Sequence, residues 1–181
     1  MSNFIPVENR LGIQPISQVN GALPSQYQTG QSQLFGQAHP LGTIVKAYDQ
    51  TLGEGEFIYL EGVASTKVGS LVVYNNSAGT TTLAPNTAHL GESVAVAMSA
   101  CTASNFGWYQ IGGVATVLKT AVKVSPNVNI FLSATAGRVM STAASGKEIL
   151  NAISVNAATV ASGTSTVLVQ INRPFAQGQV I

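Results

Sequence analysis

The sequence predicts an all-β fold, a barrel or a jelly-roll-like sandwich, with an extended N-terminal arm in front of it. Three observations carry that prediction. From residue 41 onward, short runs rich in Val, Ile, Thr, Tyr and Phe are bounded by Gly, Asn, Pro and Ser. The runs follow one another at roughly 8–12-residue spacing with no long amphipathic helix between them, the rhythm of a sandwich or barrel. Residues 1–40 share neither property. They carry Pro6, Pro15, Pro24 and Pro40 among scattered glutamines, and no apolar period persists.

The elements follow in order. In residues 1–40 the prolines break helices and favour extended or turn geometry. The isolated apolar residues Phe4, Ile5, Leu11, Ile13, Ile16, Leu23, Tyr27, Leu34 and Phe35 suit an arm that orders on a partner better than a solvated tail. A β domain is expected over residues 41–181. Residues 43–48 read as a strand, Gly53, Glu54 and Gly55 as a turn, and residues 56–60 as the next strand. Residues 71–74 end in a turn at 75–79, residues 80–83 stop at Pro85, and residues 93–98 alternate small and apolar side chains.

Residues 106–111 and 114–118 flank Gly112 and Gly113, and two runs joined by a glycine pair signal a hairpin, because both turn positions can take positive φ. Residues 129–133 and 138–141 flank a second hairpin turn at 134–137. Residues 149–155 and 166–171 close the pattern, with a turn at Gly163, and the alanine-rich residues 157–161 leave room for a helical turn.

Composition bounds the function. Of 181 residues, 45% are hydrophobic, enough for a core, and only 8% are charged, against roughly 25% in ordinary soluble domains. Such a surface suits burial against a partner. The net charge is +1 and the eight Lys and Arg residues are scattered, so the clustered cations that displace counterions from nucleic acid are missing. No stretch reaches the ~18 apolar residues of a membrane helix, and Met1 to Phe4 lack the basic start of a secretion signal. Synthesis in a cytoplasm, without a membrane partner, is the expectation. Cys101, the single cysteine, sits among small apolar neighbours and reads as a buried structural thiol.

The residues that carry chemistry form no set. His39 and His89 lie at no metal-ligand spacing. Glu54, Glu56 and Glu61 are the best carboxylate candidates, but no neighbouring Asp or His completes an acid–base pair, and a solvated or interface edge is the simpler role. No nucleophile elbow and no phosphate-cradling loop is present. No catalytic, metal or cofactor-binding residue is therefore assigned. Trp108 and Tyr109 occupy an aromatic strand on which Phe106, Trp108 and Gln110 share one face and Tyr109 and Ile111 the other. Core packing is the default for such a strand; an exposed sugar-stacking platform is the alternative.

The stretch from Asn105 to Ala115, the turn Ala136-Gly137-Arg138-Val139 and the closing segment Val167 to Phe175 resemble tailed-bacteriophage head decoration, or cement, proteins. The resemblance covers residues 41–175. It implies a β-barrel or jelly-roll-like protein, assembled as a homo-oligomer, often a trimer, that sits on the outside of a capsid and bridges major capsid protein subunits. On that reading Phe4, Ile5, Leu11, Ile13 and Phe35 are candidate apolar anchors of the arm, with Arg173 and Phe175 as further capsid contacts. The alternative is a host-glycan-binding tail-fibre or adhesin-like module. A lattice-forming shell protein lacks its expected long helix, and an enzyme comes last.

Overall fold

The computed structural model describes residues 5–6, 13, 15–20 and 37–179. The fold is all-β. In chain order the strands are β1 (Ile5–Pro6), β2 (Val19–Asn20), β3 (Ile44–Asp49), β4 (Gly53–Glu61), β5 (Leu71–Tyr74), β6 (Thr81–Leu83), β7 (Ser93–Ala97), β8 (Phe106–Leu118), β9 (Asn129–Leu132), β10 (Val139–Met140), β11 (Glu148–Ser154) and β12 (Thr166–Ala176). No helix occurs among the described residues, so residues 157–161 hold no helical turn.

All twelve strands belong to one hydrogen-bonded sheet whose main path runs β1-β3-β4-β8-β7-β12-β11-β9-β10. The strand pairings are antiparallel. The sheet does not close into a barrel; it folds over in the manner of a sandwich. The largest core cluster joins Val73, Val94 and Val96 from β5 and β7 to Val117, Ile130, Leu132, Ile149 and Val169 from β8, β9, β11 and β12.

The expected hairpin at Gly112 and Gly113 is not formed. Residues 106–118 are one continuous strand. Its first half pairs with β4 and β7, and its second half pairs with β12, from Gly112↔Asn172 to Leu118↔Thr166. The glycines mark the point where the strand changes partners. A side chain at Gly112 would meet the Glu56 Cβ at 3.1 Å. At Gly113 (φ +90°) it would collide with the Glu54 carbonyl and lie 3.0 Å from the Gly55 Cα. Glycine here allows a close backbone approach and a bulge rather than a chain reversal.

The same place is irregular in the neighbouring strands. Glu56 and Phe57 of β4 oppose Gly112 and Gln110, which leaves Ile111 as an extra residue. In β12 three residues lie between Ile171 and Phe175, where β11 has only Asn151 between their partners. Asn151 and Arg173 both take positive φ, 60° and 46°. These irregularities lie side by side in β4, β8, β12 and β11 and form a crease, and bulged strands bend at such a place.

Gly53-Glu54-Gly55 also differs from expectation: it begins β4. The preceding turn is held by Asp49, whose Oδ1 accepts hydrogen bonds from the backbone N–H groups of Thr51 (2.8 Å) and Leu52 (2.9 Å). The hairpin at 134–137 is present, with Val139↔Leu132 and Met140↔Phe131 in register.

The β4–β8 layer is buried on both faces. Ile58, Leu60, Tyr109 and Ile111 pack with Val72, Ala95 and Cys101 on one side. Phe57, Tyr59 and Trp108 pack with Ala47 and Ile16 on the other. Within residues 1–40, Ile16 is thus a core residue, only 2% exposed. Ile13 packs on the same cluster, β2 pairs with β8 and β1 pairs with β3.

Candidate functional site

Pairing registers put a mixed apolar and charged strip on one face of the outermost strands. Ile5 opposes Tyr48, Tyr48 opposes Glu54, Lys46 opposes Glu56, and Ile44 opposes Ile58. Directly opposed residues point to the same face of a sheet. Ile58 is covered, but Ile5, Ile44 and Tyr48 stand 61%, 41% and 51% exposed.

Glu54 and Glu56 share this face, as their spacing requires, and each holds a cation. Lys46 Nζ lies 2.8 Å from Glu54 Oε1. Arg173 donates from Nε (3.1 Å) and Nη2 (3.0 Å) to the two oxygens of Glu56. These bonds raise the pKa of each cation. Arg173 is itself the left-handed residue opposite the register shift in β11 and β12. Glu61 stands apart, at the far end of β4 opposite Phe106.

Of the residues that sequence reasoning singled out, Ile5 and Arg173 lie on this strip. Phe175, 40% exposed, stands opposite Ser93 of β7. Ile13 is half-buried against the core. Phe4, Leu11 and Phe35 lie outside the described residues. Ile44, Lys46 and Tyr48 were missed, because the run Ile-Val-Lys-Ala-Tyr has apolar residues in both alternations and does not say which face is open.

A second feature adjoins the strip. A cleft of about 490 Å³ opens between the β5–β6 turn and the start of β7, lined by residues that include Tyr74, Asn76, Thr80, Thr82, Glu92 and Ser93. Its turn is rigid: Asn75 Oδ1 accepts hydrogen bonds from Ser77 N–H, Ser77 Oγ and Ala78 N–H at 2.9, 2.8 and 3.0 Å. Asn76 Nδ2 donates across the cleft to Ser93 Oγ at 2.9 Å. Burial raises the Tyr74 phenol pKa, while its hydrogen bond with Ser93 and the charge of Arg173 pull the other way.

Trp108 is fully buried, so it offers no sugar platform. Its ring centroid lies 5.1 Å from that of Tyr59 and 5.3 Å from that of His39. Burial lowers the His39 pKa. Cys101 is buried as the sequence suggests, and burial raises its thiol pKa. Lys119, 1% exposed, has an ammonium held by backbone carbonyls alone: it donates to Thr120, Val122 and Ser162 at 3.2, 2.8 and 3.4 Å. Burial pulls its pKa down, against the opposing effect of the three acceptors.

Among the described residues, no three His, Cys, Asp or Glu side chains are grouped to hold a metal ion. No helix among them is long and apolar enough to cross a membrane. No family model, curated protein or solved structure matched the chain.

Proposed function

We propose that the chain is a structural virion protein that binds the outside of a phage capsid and bridges major capsid subunits to stabilise the shell. The observation that carries this reading is the strip Ile5–Tyr48–Ile44. These apolar side chains lie uncovered on the outermost strands of a rigid β body, beside ion pairs that can re-pair across an interface. Contiguous exposed apolar residues with a polar surround are the pattern of a protein-binding surface. The low charge of the chain lessens the desolvation that docking would cost.

The mechanism is mechanical. Packaged DNA presses the shell outward, and a protein seated across subunit junctions adds interface area that must be broken before the shell opens. A homo-oligomer, with a trimer expected, would multiply weak contacts through effective concentration. Arg173, Phe175 and the apolar residues of the N-terminal segment are the proposed contacts.

The test is cosedimentation with purified capsids of the encoding virus that lack this protein. Deleting residues 1–40 outright would also strip Ile16 from the core, so point variants are the cleaner probe. Wild type should cosediment, and Tyr48→Asp combined with Ile5→Asp should not, at unchanged melting temperature. If wild type fails to cosediment, the capsid reading fails. If the double variant binds as well as wild type, the strip is not the contact.

A further inference from the structure

We propose that His39 latches residues 37–41 onto the β4–β8 layer and releases them in acid, uncovering the Tyr59 and Trp108 rings while the sheet stays folded. The proposal is independent of the capsid reading and rests on how the imidazole is seated.

Residues 37–41 belong to no strand, and two of their side chains dock them. Leu41 packs against the cluster that contains Phe57, Tyr59 and Trp108. The His39 ring meets Tyr59 at 90° with centroids 5.1 Å apart, and Trp108 at 43° and 5.3 Å. The backbone adds little to this hold: Ala38 N–H donates to Tyr59 Oη at 3.2 Å. Gly42 N–H then donates to the Tyr59 carbonyl at 2.8 Å. That bond sits where the pairing of β3 with β4 begins, so the sheet limits how far the segment can lift.

The seat suits a neutral imidazole and penalises a charged one. His39 Nε2 is sealed from solvent and has no hydrogen-bond partner. A neutral ring can keep its proton on Nδ1 and leave Nε2 bare. Protonation puts an N–H and a charge at that buried atom. The adjoining ring answers it only with Trp108 Nε1–H, itself a buried donor without a partner. The titratable group that faces the imidazole is the Tyr59 phenol of β4; β8 faces it with the uncharged Trp108. Residues 37–41 carry no second titratable side chain. Burial alone lowers the His39 pKa, with no described charge aiding or opposing it. Cation–π attraction to the two rings works in the other direction, but it gives the buried Nε2–H no acceptor.

The sign follows. A released imidazole has its ordinary pKa of 6.5, and the seated one a lower value. Above 6.5 both are neutral and the latch holds. As pH falls below 6.5 the open population rises by up to tenfold per pH unit, until the seated value is passed.

The test uses the full-length protein between pH 8 and pH 4. Trp108 is the only tryptophan, so acrylamide quenching of its emission reads the uncovering directly. Far-UV circular dichroism reads the sheet, and amide exchange reads the protection factor of Ala38. Below pH 6.5 quenching should rise and Ala38 protection should fall, both before the β signal changes. His39→Phe keeps an aromatic ring and cannot titrate, so it should stay closed over the same range. His39→Gln, also neutral throughout, should show no pH step whether it sits open or closed. A His39 imidazole that titrates at or above 6.5 by NMR would overturn the proposal. So would quenching that rises only together with loss of the β signal, or a pH step that persists in both variants.

Discussion

Replacing Gly113 by asparagine separates the crease from the reversal that the glycine pair first suggests. Asparagine accepts left-handed backbone and is at home in tight turns, so a solvent-facing reversal would lose little. Here a Cβ at position 113 would run into the Glu54 carbonyl, with the Gly55 Cα at 3.0 Å, and both obstacles are backbone atoms that cannot rotate away. Two costs add. The backbone at φ +90° costs any side chain on the order of 1–3 kcal/mol. Forcing β4 and β8 apart resembles overpacking, about 1–3 kcal/mol more. A loss of about 3 kcal/mol, at roughly 2–4 °C per kcal/mol for a chain of this size, lowers the melting temperature by roughly 6–12 °C. Gly163→Ala is the control, because nothing lies within 4 Å of its Cβ position, and it should stay within about 0.5 kcal/mol of wild type. Both melts are followed by circular dichroism at one scan rate. A Gly113→Asn protein that melts within about 2 °C of wild type would refute the close approach of β4 and β8.

Three further outcomes are expected. Lys119→Met removes the ammonium from three backbone carbonyls; a loss of about 2 kcal/mol is expected, with faster amide hydrogen exchange in residues 120–124 and 160–164 and unchanged exchange in β4. Cys101, buried and with its thiol pKa raised by burial, should react with an aromatic disulfide reagent only on unfolding, and fast labelling of the native protein at pH 8 would contradict its burial. Stability should fall at both ends of the pH range. His39 has a folded pKa lowered from 6.5 by burial, so its contribution is complete above 6.5 and is lost as pH drops through the folded value; Cys101 and Tyr74 are raised from 9.0 and 10.0 chiefly by burial, so theirs are complete below those values and are lost as pH rises beyond them. Urea midpoints measured from pH 4 to 11 check both signs.

The sequence was most legible where the signals were local. β5 runs from Leu71 to Tyr74 as read, because Asn75 sits next to it and folds its own side chain back onto the turn. The β9–β10 hairpin was legible for the same reason, with Gly137 supplying positive φ. The alternation around Trp108 and Tyr109 was correct in both faces. Gly112 and Gly113 misled because a glycine pair reports a backbone need without its cause. The cause, the backbone of Glu54 and Gly55, belongs to a strand distant in sequence. The edge strip was half legible: Ile5 and Arg173 were named from the chain, but the contact of Arg173 with Glu56 spans 117 positions, and no local pattern encodes it. The cleft was invisible, because Tyr74 and Ser93 meet only through the pairing of β5 with β7.

The crease also bears on how the protein reaches its native state. Its bend exists only when β4, β8, β12 and β11 are side by side, so no hairpin can rehearse it alone. Each irregularity is keyed to its neighbour, and a strand that slipped by one residue would face its bulge with a regular partner and turn its core side chains outward. The arrangement acts as a ratchet against misregister. Because its contacts are long-range, refolding should take milliseconds to seconds rather than microseconds. A microsecond phase that recovers full native signal in a temperature jump would argue against that order of events. Gly113→Asn should act mostly on the unfolding rate if the crease forms after the main barrier. A sheet built this way would fold slowly, once, and then hold its register.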